Sequence, residues 1–141
     1  MTIDKELLRK SFALFTACEP DLTQHFYEVL FERHPAARKL FFRRSLAEQA
    51  KLFTESLATL VEHIDDTAEL EKILVPLGVK HIEYGATPEH YIWVREALIA
   101  TFRHVAGTVW SDDLAATWRE AYDRIAAIMI EAAARHGGGG A

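Results

Sequence analysis

Cysteine occurs once in the 141 residues, at Cys18, so no internal disulfide can form and packing alone must hold the chain together. A reducing, cytoplasmic setting suits such a chain. SFALFTA ahead of Cys18 loosely imitates the end of a lipoprotein leader. Asp4 and Glu6 spoil the basic start, however, and Ile3, Leu7, Leu8, Phe12 and Phe15 follow a helical period, so Cys18 is expected as a free, buried thiol. Proline and glycine are scarce as well, at four and seven, and four of the glycines form the run Gly137 to Gly140. The body is therefore nearly free of breakers. No apolar run approaches the roughly 20 residues that cross a bilayer, so no membrane partner is expected. Lys and Arg number 16 against 21 Asp and Glu, and a net charge of -5 argues against nucleic acid as a partner. GxSxG, P-loop, HExxH and paired-cysteine zinc signatures are all missing, which removes the common hydrolase, nucleotide and zinc chemistries.

What is present is a balance of 50% hydrophobic, 11% aromatic and 26% charged residues, that of one soluble globular domain. The apolar residues recur at helical spacing throughout. Leu22, Phe26, Val29 and Leu30 mark one segment, and Pro35 opens a short turn ending in Phe41 and Phe42. Ser45 or a neighbour caps a helix striped by Leu46, Phe53, Leu57, Leu60 and Ile64. Two long segments follow Pro88, separated by Ser111 as N-cap. The pattern predicts an all-α fold of about seven helices over residues 1–136, with 137–141 as a flexible glycine-rich tail.

His81 breaks the pattern. Leu70, Ile73 or Leu74, and Leu77 lead along an apolar stripe to residue 81, and a histidine stands there in place of leucine. The other six histidines are expected at the surface. Gln49 lies one helical turn before Phe53 on an otherwise apolar face, and Tyr27 shares the edge of its helix's apolar face with Leu30 and Phe31. Taken singly, an inward histidine is usually a hydrogen-bonded core residue, a tyrosine bonds a carbonyl, and a glutamine reaches water. Three unrelated orphans, each costing about 1 to 3 kcal/mol if left without a partner, are improbable together. One arrangement uses all three: a flat apolar cofactor whose metal takes His81 on one side while its ligand meets Tyr27 and Gln49 on the other. Haem is that cofactor.

The stretches HFYEVLFERHP, KLFF, EQAKLF, LGVKHIEYG and TPEHYIWV, in this order and spacing, resemble a bacterial single-domain globin and the globin module of flavohaemoglobins. The resemblance runs from about Ile3 to Ala133. It implies a globin fold around a pocket for haem b, with His81 as the proximal iron ligand and Tyr27 and Gln49 as the distal groups that meet the bound gas. It also makes Phe53 the bulky residue one turn beyond Gln49. Counting from Pro35 makes Phe41 the aromatic that wedges the haem; counting back from Gln49 makes it Phe42. Leu57, Leu77 and Val94 complete the apolar wall.

The activity so implied is tight, reversible binding of dioxygen for storage, delivery or scavenging, with carbon monoxide and nitric oxide as further ligands. The alternative is nitric oxide dioxygenation. Flavohaemoglobins draw electrons for it from an attached flavin and nicotinamide module, whereas this chain stops after its last globin helix, so a separate reductase is the expected partner. The same family links its proximal histidine to a tyrosine and a glutamate. Tyr91 matches the tyrosine, but Ala133 stands where the glutamate is expected, and Glu131 is about 200° away round the helix. That departure favours oxygen binding over a peroxidase-like side activity. Monomer and homodimer are both open.

Overall fold

The computed structural model describes residues 4–18, 22–41, 45–83 and 85–139; the side chains of 40, 41, 46, 47, 82, 83 and 136–139 lie outside that description. Among the described residues there are six α-helices and no strand: α1 (Lys5–Cys18), α2 (Leu22–Arg33), α3 (Leu46–Glu62), α4 (Thr67–Glu83), α5 (Pro88–Ala106) and α6 (Asp112–Gly139). A 3-10 segment, Pro35–Phe41, joins α2 to the α3 region, and a second, Gly107–Val109, follows α5. With the longer 3-10 segment counted, the expected total of seven is reached. No helix among the described residues is long and apolar enough to cross a membrane.

Short polar side chains start most of the helices, because the first turn has backbone N–H groups with no carbonyl behind them. Asp4 accepts from Leu7 N–H at 3.0 Å, Ser45 from Glu48 at 3.2 Å, Asp66 from Glu69 at 3.2 Å and Ser111 from Leu114 at 3.1 Å. Both serine caps stand where the sequence places them. At the start of α5, Thr87 N–H donates to His90 Nδ1 at 3.1 Å. His90 therefore works in a helix start, where the sequence led only to a surface histidine. Pro76 falls inside α4 without ending it, although it has no N–H to give to the preceding turn.

α4 packs most extensively on α6, while α2 packs on α5 and on α3. The α4–α6 approach is close at Gly78, where an added Cβ would stand 2.5 Å from the Met129 carbonyl oxygen. α3 and α4, consecutive in the chain, thus have different packing partners. The interior is aromatic at one end. The Phe102 ring lies 4.8 Å from Phe15 and 4.6 Å from Trp118, and Trp118 Nε1 donates to Ser11 Oγ at 3.0 Å. Each such ring, wholly buried, contributes about 1.5 to 3 kcal/mol. Cys18 is exposed, not buried as expected. It is the last residue of α1, where the buried stripe of Leu8, Phe12 and Phe15 has run out.

Candidate functional site

Tyr27 is completely buried on α2. Its ring is enclosed by Phe26 at 4.9 Å, Phe31 at 5.9 Å and Phe53 at 6.0 Å, and Phe26 stacks on Phe53 at 5.0 Å. Burial pushes the phenol well above its ordinary range, because the charged form would lose its hydration, and a side-chain hydrogen bond from Gln49 opposes the rise. Tyr27 is therefore a neutral O–H at any physiological pH. Gln49, half-buried on α3, is its polar neighbour.

The register between α2 and α3 is set by a residue that sequence reading missed. Thr23 Oγ1 donates to the Ala50 carbonyl at 3.0 Å and lies 2.8 Å from Thr54 Oγ1, with its side chain buried one turn before Tyr27. A bond to the residue after Gln49 places Gln49 opposite Tyr27. Threonine at helical spacing carries no distinctive signal, since its usual partner is its own helix, as Thr101 shows with the Ala97 carbonyl at 2.8 Å.

His81 sits in the last turn of α4, half-buried. Its Nδ1 is 2.6 Å from the Leu77 carbonyl oxygen. A carbonyl can only accept, so Nδ1 carries the proton and Nε2 keeps its lone pair. Burial lowers the imidazole's pKa below its ordinary value, opposed by the Leu77 bond, and this favours the neutral ring. The Tyr91 ring lies 6.1 Å from the His81 ring at 30°. Tyr122 donates to the Tyr91 carbonyl at 2.7 Å and anchors that segment of α5. The Tyr91 hydroxyl has no hydrogen-bond partner among the described residues. Glu131 is exposed and accepts from Arg135 at 2.6 Å, so its carboxylate is engaged elsewhere.

Two groups are thus assembled, one of Tyr27, Gln49 and Phe53 between α2 and α3, the other of His81, Leu77 and Tyr91 between α4 and α5. Leu77 and Val94 are partly buried against the core, Val94 one turn beyond Tyr91, and Leu57 is buried within it. Phe42 lies outside the described residues, and of Phe41 only the backbone, at the end of its 3-10 segment, lies within them. The other histidines have structural company: His34 stacks on Trp93 at 4.3 Å and His25 meets His104 edge-on at 5.2 Å. No group of three or more His, Cys, Asp or Glu among the described residues could hold a metal ion. A lone imidazole with a fixed lone pair can hold a metal only where the metal's other ligands arrive with it. A planar macrocycle meets that requirement.

The Globin family matches residues 24–129, and the chain belongs to the globin family. A flavohemoprotein of Halalkalibacterium halodurans is 30% identical over 129 residues, covering 90% of this chain and 31% of that protein. The chain spans about a third of the length of the flavohemoproteins it matches. An anaerobic nitrite reductase of Gossypium hirsutum is 32% identical over 140 residues, covering 89% of this chain and 86% of that one. The structure of a flavohemoglobin from Malassezia yamatoensis, with bound FAD and heme, aligns at a TM-score of 0.78 and 18% identity, covering 96% of this chain and 37% of that one. The globin fold expected from the sequence is the fold the chain has.

Proposed function

We propose that the chain is a haem protein that binds dioxygen reversibly and tightly, with His81 as the iron ligand and Tyr27 and Gln49 as donors to the bound gas. The observation that carries this is the 2.6 Å bond from His81 Nδ1 to the Leu77 carbonyl, because it presents Nε2 as a neutral donor of fixed orientation. Haem b held by His81 would supply an iron able to take a diatomic gas. Tyr27, kept protonated by burial, can donate to an oxygen atom that gains electron density there, and Gln49 holds the phenol oxygen in place. Phe53, Leu57, Leu77 and Val94 are the side chains that would keep water away. Carbon monoxide, which is less polarised, gains less from the same donors.

Nitric oxide dioxygenation served by a separate reductase is the second reading. It is favoured by the likeness to flavohemoproteins and needs the same Tyr27 and Gln49. Oxygen binding is preferred on the proximal side. The Leu77 carbonyl is the partner seen on His81 Nδ1, Ala133 brings no carboxylate, and a neutral imidazole pushes less electron density onto iron than one paired with an anion.

Purified protein given haemin should develop a Soret band and, once reduced, take up oxygen reversibly and release it slowly in stopped flow. Failure to take up haemin overturns the proposal. Catalytic nitric oxide consumption on adding a flavin reductase, at a rate far above that of the unassisted protein, would move the assignment to the second reading.

A further inference from the structure

We propose that the cleft formed by the end of α2, the second half of α5 and α6 binds a phosphorylated small molecule carrying two or more negative charges. The cleft has a volume of about 490 Å³ and is open to solvent, with Arg33 from α2, Glu96, Arg103 and His104 from α5 and Arg119 from α6 among its walls and Ile99 and Ala100 beside them; Glu96 is the one carboxylate in that lining. That volume lies within the roughly 300 to 1,000 Å³ of small-molecule sites.

The charges nearby are not balanced. Glu96 accepts from Arg95 and from Arg119, each at 3.0 Å, and Arg95 also reaches Asp123 at 3.0 Å, so these two acids and two arginines satisfy one another. Arg33 and Arg103 make no ion pair among the described residues, and both are exposed at the rim. In a chain whose net charge is -5, a pair of uncompensated guanidinium groups beside a third is a local excess against the overall sign. Guanidinium groups meet phosphate oxygens through two parallel N–H bonds, which makes arginine the usual residue for phosphate recognition. His104, held edge-on by His25 at 5.2 Å and 69°, is a further donor at the rim. Ile99 and Ala100 give the cleft a small apolar floor for an uncharged portion of the ligand.

Isothermal titration of the full chain with pyrophosphate and with ADP, in buffer of physiological ionic strength, tests this with or without haemin present. The expected result is saturable one-to-one binding of at least one of them. Binding should weaken at least about tenfold in Arg33→Gln/Arg103→Gln and stay unchanged in Arg135→Gln. Equal affinity for both probes means the phosphates alone are recognised, and tighter ADP means the apolar lining takes part; either supports the site. No saturable heat with either probe, undiminished binding to the double variant, or binding of a polyglutamate peptide in place of both phosphates overturns it. Should the double variant melt at a changed temperature, Arg33→Gln and Arg103→Gln read separately carry the same test.

Discussion

Tyr27 and His81 stand in contrasting surroundings. Tyr27 is fully buried and walled by three phenylalanine rings, and the helix beside it is locked in register by Thr23. His81 is only half-buried, near the end of a helix that contains a proline, and its Nδ1 bonds the carbonyl one turn earlier in the same helix. The difference suits the two tasks proposed for them. A donor that must meet a small ligand at one point has to be rigid and dry, since an amide or hydroxyl loses strength to competing water. A metal ligand needs its lone pair aimed and its proton placed, and one carbonyl in the same turn does both.

Removing the imidazole should have the largest effect. His81→Ala is expected to speed haemin loss to an acceptor by more than about 100-fold, beyond the roughly 10- to 100-fold typical of outer-sphere changes at metal sites. Haemin transfer followed by absorbance checks it. Retention close to wild type would give the iron to another residue and dissolve the contrast.

Tyr27→Phe should act on the other side alone. Loss of the hydroxyl removes one bond to bound oxygen, and at about 1 to 2 kcal/mol per bond the oxygen dissociation rate should rise roughly tenfold, with carbon monoxide release changing less. Haem affinity should stay near wild type. An unchanged oxygen off-rate would mean that the phenol points away from the ligand.

Acid should reach the His81 side first. The imidazole's pKa in the folded chain lies below its ordinary 6.5, so below that value the unfolded chain takes up a proton that the folded chain resists. The stability this group contributes is thus present above about pH 6.5 and fades as pH falls towards the lower, folded value. The same proton competes for Nε2. Haemin loss and the urea midpoint, measured from pH 7.5 down to 5, should both move in the unfavourable direction, and His81→Ala should flatten that part of the profile.

How much of this was legible follows the same division. The helices could be read because their apolar residues recur at three and four, and because Ser45 and Ser111 carry caps that need only local chemistry. His81, Gln49 and Tyr27 could be read as polar exceptions on apolar stripes. Thr23 and its bond to Ala50 could not, since the partner lies 27 residues away and threonine at helical spacing usually bonds within its own helix. The exposed Cys18 was misread because α1 ends on it, and helix ends are the least determined feature of a periodic pattern. Neither Pro76 inside α4 nor His90 capping α5 follows from local propensity: Pro76 stays helical in a segment that packs on α6, and His90 takes its bond from the Thr87 backbone.

The smallest effect is expected at Tyr91, and it sharpens the comparison most. Tyr27 on α2 is buried and Tyr91 on α5 half-buried, yet only Tyr27 has Gln49 beside it, while the buried Tyr91 hydroxyl meets no partner among the described residues. Burial raises the Tyr91 phenol above its ordinary range with no hydrogen bond acting against the rise. Deleting a hydroxyl that has lost its water and gained nothing should be neutral or slightly stabilising, by up to about 1 kcal/mol. The ring should stay where it is, because Tyr122 holds the backbone carbonyl of residue 91 rather than its side chain. Tyr91→Phe should therefore leave the oxygen off-rate and haem retention unchanged and the urea midpoint level or raised, the opposite of Tyr27→Phe. A loss of stability above about 1 kcal/mol, or faster haemin release, would mean that the hydroxyl finds a partner once haem is in place, with the His81 ring 6.1 Å from its own as the first group to suspect.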